Sequence, residues 1–444
     1  MIISSISFQQ FKSYRDAKLP LNLLTLLIGA NASGKSNAIE GLRFLSWLAE
    51  GRRLDDLMKA VQAEERVRGT IRDLVYQAAD DGQGPSDIFG FECEIFETRT
   101  EAPLQLRIRL QVTAEGMRVI SESMAMQQHD RRTLLYEVVG PARKLNHEVP
   151  VYYDHFAQVG KEPQILCSNQ QAIFTQLHIP TRFSSTRAAH SLTPYLVRVF
   201  HRFLEQILFL DPNPRAMRQY SFTVEKGLKD DGSNLSSVLY DLCETKDRKE
   251  EVLDFIRSLP EQDIRDIGFI ETPRREVMLT LTESFADQEK IRDAGTLSDG
   301  TLRVLAVAAA LLSAPEGSLV IIEEIDNGVH PSRVGTLLEN IQSVSCEREI
   351  PVLMTTHNPA LLDALPTVAI PDVVCCYRDP KVGDSRLIRL EDLEHYPELI
   401  AQGPLGWLMT QGVLDRYLKD HTEPEQKRAD AMAWLETLKG GAAT

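Results

Sequence analysis

The segment Gly29-Ala30-Asn31-Ala32-Ser33-Gly34-Lys35-Ser36 matches the pattern GxxxxGK[ST]. Glycines there let backbone N–H groups wrap phosphate oxygens. Lys35 is placed to reach β- and γ-phosphates, and the Ser36 hydroxyl to take one Mg²⁺ position at a helix N-terminus. Gly29, Asn31, Ser33, Gly34, Lys35, Ser36 and Asn37 are the candidate nucleotide-binding residues. Far downstream, the apolar run Leu319-Val320-Ile321-Ile322 ends in Glu323-Glu324. A carboxylate at a strand end can hold Mg²⁺ through water, and the next can orient and deprotonate an attacking water. Ser36 and Glu323 are thus candidate metal ligands and Glu324 the candidate catalytic base.

These groups need particular elements behind them. Ile2 to Phe8 reads as a strand, and the apolar run Leu21 to Ile28 leads straight into the glycine loop. A helix should follow over Ser36 to Ala49, because Ile39, Leu42, Phe44, Leu45 and Leu48 form a wide apolar face at helical spacing. From Phe89 to Val151 the texture changes to alternating runs separated by turn residues, which predicts an antiparallel sheet. Leu192 to Leu210 has helical periodicity and stops at Asp211-Pro212-Asn213-Pro214. A further helix should begin at a Ser233 or Asn234 cap, and another precedes Pro260. Two strand-like runs then lead to residue 284. Beyond it, helical and buried strand patterns alternate through residues 301–377, which predicts a parallel sheet covered on both faces.

The chain of 444 residues is long enough for two or three domains, and its 43% hydrophobic and 25% charged content is that of a globular protein. It contains neither an apolar run of membrane-spanning length nor a signal-peptide pattern near its first residues, so a cytoplasmic protein without membrane association is expected. Six cysteines without a CxxC pair indicate neither a disulfide framework nor a zinc knuckle; Cys375 and Cys376 read as buried thiols on a strand. A net charge of -15 argues against indiscriminate phosphate-backbone contact, while leaving room for a local basic groove, so DNA remains a possible partner.

Taken together the motifs resemble bacterial ABC-class P-loop ATPases of the SMC, RecF and OLD-like group. Gly29 to Ser36 corresponds to Walker A and Leu319 to Glu324 to Walker B, with Glu323 where the usual pattern has aspartate. Leu297-Ser298-Asp299-Gly300-Thr301 resembles the LSGGQ signature and opens an apolar helix at the spacing before the acidic pair that this group uses. In such proteins the signature contacts nucleotide on the opposite subunit, which implies Ser298, Asp299 and Gly300 acting in trans. Asp326 resembles the D-loop residue, His357 the switch histidine that senses the γ-phosphate, and Lys12-Ser13-Tyr14-Arg15 the FKS entry near the nucleotide. The DGSNL segment at Asp231 to Leu235 carries a weaker likeness. No motif identifies the Q-loop glutamine, and Gln77 and Gln158 are nominal choices only.

The resemblance implies an α/β fold: an ABC-type ATPase head with a mostly parallel sheet, an antiparallel β subdomain and an inserted helical arm. The expected divisions are an N-terminal ATPase part at 1–88, a β-rich subdomain at 89–180 and a helical or mixed insertion at 181–284. An ATPase part at 285–400 and a helical tail at 401–444 complete them. It further implies ATP and Mg²⁺, a head-to-tail homodimer or higher even oligomer, and control of a separate nuclease or toxin subunit in anti-phage defence. A DxD pair of the nuclease kind is absent from residues 358–444, so a nuclease would be a separate chain. The alternatives are a slowly hydrolysing ATP-locked scaffold and a DNA-repair ATPase of RecF type. A membrane-transporter motor is disfavoured, because the signature follows the glycine loop much more closely there.

Overall fold

The computed structural model describes residues 2–56, 67–77, 86–97, 101–128, 131–138, 147–153, 164–178, 192–257, 263–285 and 288–419. Gln158 lies outside them, as do the last residues of the expected tail.

Three sheets organise these residues. The largest joins β1 (Ile2–Phe11), β2 (Tyr14–Pro20), β4 (Ile88–Glu97), β5 (Ala102–Thr113), β6 (Gly116–Gln128), β7 (Arg131–Val138), β8 (Glu148–Tyr153) and β9 (Gln164–Ser168), in the order β2-β1-β4-β5-β6-β7-β8-β9. Every pairing in it is antiparallel. It therefore draws in β1 and β2, which precede the glycine loop, as well as the alternating runs after Phe89.

The second sheet has the order β10-β15-β16-β3-β17-β18. Its strands are β3 (Leu24–Ile28), β10 (Leu208–Leu210), β15 (Val320–Ile322), β16 (Val352–Thr355), β17 (Val374–Arg378) and β18 (Ser385–Arg389). All pairings are parallel except β17 with β18. Period-2 alternation divides its side chains between two cores. Leu27, Ile321, Leu353, Val374 and Cys376 face the core shared with the antiparallel sheet, whereas Leu26, Ile28, Val320, Ile322, Val352, Met354 and Cys375 face the other. The helical reading of Leu192 to Leu210 needs correction here. The helix ends at Glu205, and Leu208–Leu210 is an edge strand whose backbone pairs with Val320–Ile322.

The third sheet contains β11 (Ser221–Phe222), β12 (Ile264–Glu271), β13 (Glu276–Phe285) and β14 (Gln288–Asp293). Six helices of eight residues or more are described: α1 (Lys35–Ala49), α2 (Leu192–Glu205), α3 (Leu235–Leu242), α4 (Lys246–Arg257), α5 (Asp299–Ser313) and α6 (Pro331–Arg348). The described residues within the expected insertion at 181–284 contribute to several layers. Apolar residues of α2 join the core around α1, β10 joins the parallel sheet, and α3 and α4 pack their apolar faces in the second core with α5.

Helix α1 anchors the glycine loop to this framework. Its Phe44 ring lies 5.7 Å from Phe89 and 5.6 Å from Phe91 of β4, and Phe8 and Phe11 of β1 extend the same aromatic cluster. Such rings contribute area burial and edge-to-face attraction together. Among the described residues no helix is long and apolar enough to cross a membrane.

Candidate functional site

Strand β3, buried along its whole length, delivers the chain to Gly29 at the C-terminal edge of the parallel sheet, the edge at which open α/β sheets bind ligands. The loop then turns through left-handed φ values at Ala32 (62°) and Gly34 (125°), and α1 starts at Lys35. A side chain at Gly34 would be strained and would also meet the Ser385 hydroxyl, 2.6 Å from an added Cβ. Flanking segments hold the loop from behind. Tyr14 donates its hydroxyl to the Gly34 carbonyl at 2.9 Å, Ser385 donates to the Ser33 carbonyl at 2.5 Å, and Arg378 donates to the Ala32 carbonyl at 3.0 Å. Asn37 donates to the Ser13 hydroxyl at 2.7 Å, which ties the FKS segment to the first turn of α1.

The loop borders a cavity of about 380 Å³ lined in part by Asn31, Ser33, Gly34, Lys35, Ser36, Asn37, Glu323, Glu324 and His357. Nine candidates from three distant stretches of sequence thus meet in one place. Gly29 sits one residue behind the lining. The Lys35 ammonium donates to the carbonyls of Gly29 at 2.5 Å and Ala30 at 3.0 Å, so it is folded back onto its own loop. Burial lowers its pKa, with the nearby Glu324 carboxylate acting the other way.

The backbone amides of the two glutamates after β15 are held by different neighbours. The Glu323 amide donates to the Leu210 carbonyl at 2.9 Å, while the Glu324 amide donates to the Thr355 hydroxyl at 3.0 Å. Glu324 has φ 48°, a left-handed conformation uncommon for a residue with a Cβ and typical of strained functional positions. Its carboxylate accepts from the Asn327 amide at 3.4 Å. The Glu323 carboxylate is raised in pKa by burial, opposed by its ion pair with Arg43 at 3.1 Å. Asp326 lies outside the lining and accepts from Thr356 at 2.6 Å, linking the turn after β15 to the end of β16. His357 follows that strand end and is exposed.

Ser298, Asp299 and Gly300 are not among the residues that line the cavity. Ser298 caps α5, accepting from the Thr301 amide at 3.1 Å, and is itself exposed, as is Asp299. Arg218 donates to Asp299 at 2.6 Å and to the Leu297 carbonyl at 2.9 Å, fixing the approach to the helix. A Cβ at Gly300 would come 2.5 Å from the Gly328 carbonyl, so only glycine lets the start of α5 pack this closely on the turn after Asp326.

Sequence reasoning passed over Arg43, Arg68, Thr355, Thr356 and Arg378. The last four line the cavity, and Arg43 pairs with a residue that does. Arg43 carried a signal: Ser36, Glu40 and Arg43 recur at helical spacing, a polar line within an otherwise apolar helix. Gln77 lies outside this cavity and lines a neighbouring one of about 700 Å³, which shares Asn37 and Arg378 with the first.

Known proteins resemble the chain at three levels. A family model described as "AAA domain, putative AbiEii toxin, Type IV TA system" matches residues 24–363. An "ATP/GTP phosphatase" of Helicobacter pylori (strain ATCC 700392 / 26695) is 22% identical over 416 residues, covering 89% of this chain and 98% of that protein. Among solved structures, an SMC head bound to the C-winged helix domain of ScpA has 12% identity and a TM-score of 0.48, over 87% of this chain and 97% of that one. The SMC head domain from Thermotoga maritima has 12% identity and a TM-score of 0.43, over 88% and 99%. Because the family model spans most of the chain, from β3 through the glycine loop to beyond His357, the protein belongs to this AAA-domain family and is a P-loop ATPase.

Proposed function

We propose that the chain hydrolyses ATP between two head-to-tail copies of itself and that nucleotide-driven closure controls a separate effector, a toxin or nuclease, in defence against foreign DNA. One observation carries the dimer: the phosphate loop, both carboxylates and His357 share one cavity, whereas the exposed cap Ser298 and its neighbours Asp299 and Gly300 stand apart from it. In a head-to-tail pair, those residues of one copy would meet the cavity of the other. The family's description, "AAA domain, putative AbiEii toxin, Type IV TA system", supports a role in such a system.

Within this reading each residue has a task. The backbone amides of residues 31–36 and the Lys35 ammonium bind the phosphates, with Lys35 exchanging its two carbonyl partners for phosphate oxygens. The site fits Mg²⁺, since Ser36, Glu323 and Glu324 bring hard oxygen donors to one cavity. When bound, Mg²⁺ neutralises charge on the β- and γ-phosphates. Glu324 accepts a proton from the attacking water, and its constrained backbone aims the carboxylate. His357 hydrogen-bonds the γ-phosphate, and Asp326 carries the state of that strand end to the subunit interface. Ser298 and the start of α5 complete the phosphate shell of the partner copy.

Light scattering tests the arrangement. Glu324→Gln should stall turnover and accumulate a dimer when ATP is added, and Glu324→Gln with Ser298→Arg should bind ATP yet stay at the monomer mass. A double variant that dimerises with ATP rules out the signature acting in trans. Rapid turnover in Glu324→Gln alone rules out its role as base.

A further inference from the structure

Arg43 lies on α1, on the same helical line as Ser36, and its guanidinium bridges two carboxylates. One nitrogen is 2.7 Å from Asp230 and another 3.1 Å from Glu323. The arginine side chain is only 16% exposed and sits over the Phe209 ring at 4.5 Å, so its position is set by packing as well as by charge. Glu323 and Asp230 differ in burial, at 27% and 54% exposure. Asp211 and Arg68 are the other charges that act on Glu323.

We propose that Arg43 is a positioning residue that keeps Glu323 paired until a divalent cation arrives, with Asp230 as the alternative partner that makes the exchange possible. This rests on the reading of Glu323 as a metal-side carboxylate. A glutamate is one methylene longer than the aspartate usual at this position, and a pairing arginine draws that longer arm to one side. A guanidinium hydrogen-bonded to the carboxylate competes with a cation for the same oxygens. Removing it would strand Glu323 without a counter-charge in a partly buried site, whereas a neighbouring Asp230 lets Arg43 give up one contact and keep the other.

The exchange also has a structural route outward. The Asp230 carbonyl accepts from the Asp211 amide at 2.8 Å, one residue beyond β10, and Glu323 itself bonds the carbonyl of Leu210. Two residues further on, a methyl placed at Gly232 would lie 3.0 Å from Met217 and 3.9 Å from Ala306 of α5. Met217 precedes Arg218, the residue that holds Leu297 and Asp299. Arg43 thus stands between the metal-side carboxylate and the segment that packs under the signature helix.

The test is the factor by which Mg²⁺, against EDTA, tightens binding of the fluorescent nucleotide mant-ADP. Arg43→Met, which keeps an apolar stem over Phe209, should raise that factor about two- to fivefold, the range of a partly exposed ion pair. Asp230→Asn should lower it by a similar amount, because Arg43 then has Glu323 as its only carboxylate. Arg43→Lys separates pairing geometry from charge: a lysine cannot span both carboxylates as a fork, so it should shift the factor toward that of Arg43→Met. Thermal melting checks that each variant is folded. If Glu323→Gln collapses the factor and the Arg43 and Asp230 variants leave it unchanged, or Arg43→Lys matches the parent, the proposal fails while the metal reading stands. If Glu323→Gln leaves the factor unchanged, the metal reading itself fails.

Discussion

Both large sheets pack into the core around α1, yet they carry opposite burdens. The parallel sheet brings Gly29, Glu323, Glu324 and His357 to the ends of neighbouring strands, so its C-terminal edge is where charge and polar donors converge. The antiparallel sheet spends its inward face on Phe8, Phe11, Phe89 and Phe91, and reaches the glycine loop through Tyr14 at the start of β2 and the first turn of α1 through Ser13, just before that strand. One sheet presents chemistry while the other fixes the helix on which that chemistry is mounted. The difference follows from strand direction: parallel strands bring many loop beginnings to one edge, whereas antiparallel neighbours alternate their ends.

If that separation holds, stability and binding should come apart under mutation. Phe91→Ala, within the aromatic cluster, should cost about 3–5 kcal/mol of stability, while nucleotide affinity of the folded fraction stays near that of the parent. Urea titration and calorimetry measure the two quantities, and a proportionate loss of affinity would break the distinction. Lys35→Ala is the converse. It should leave the urea midpoint in place and weaken ATP binding by roughly 2–5 kcal/mol, the usual cost of truncating one partner of a hydrogen-bonded charge pair. Unchanged affinity would remove the loop from the phosphate site.

The smallest effect sharpens what the antiparallel sheet contributes. Glu122 of β6 is fully buried, accepts from the Tyr136 hydroxyl at 2.7 Å and from the amides of Ile173 and Phe174 at 2.7 and 2.6 Å, and burial pushes its pKa up to about 7. The folded state therefore holds this proton more tightly than the unfolded chain. The associated stability is present below the ordinary glutamate range and is lost as pH rises through about 7. A shift of this size corresponds to at most about 3 kcal/mol. Urea midpoints from pH 4 to 8 should fall across that window in the parent and flatten in Glu122→Gln; an equal slope in both would move the titration to another group.

The glycine loop, the acidic strand end and the Ser298 cap were legible in the sequence because each is a local pattern whose chemistry depends on residues a few positions apart. β14 was not, since Gln288 to Asp293 is an exposed polar edge strand without alternation. β10 was hidden because its three apolar residues continue the helical rhythm of α2, and only pairing with Val320–Ile322 makes them a strand. The bridge from Arg43 to Asp230 and Glu323 joins three segments that no local pattern relates. The wedging of Gly300 beneath the Gly328 carbonyl is likewise a property of the assembled fold.

The position of β3 at the middle of its sheet has a consequence for the order of synthesis. Leu24 takes its partner Val352 from β16, and Leu27 takes Val374 from β17, while Ser385 closes the back of the loop. A nascent chain that has already emerged past its glycine loop must wait for residues 352–385 before that loop gains its flanking strands. Fragments released by the ribosome before residue 385 would carry the glycine loop without the strands that flank it, so nucleotide capture should require a chain translated at least that far.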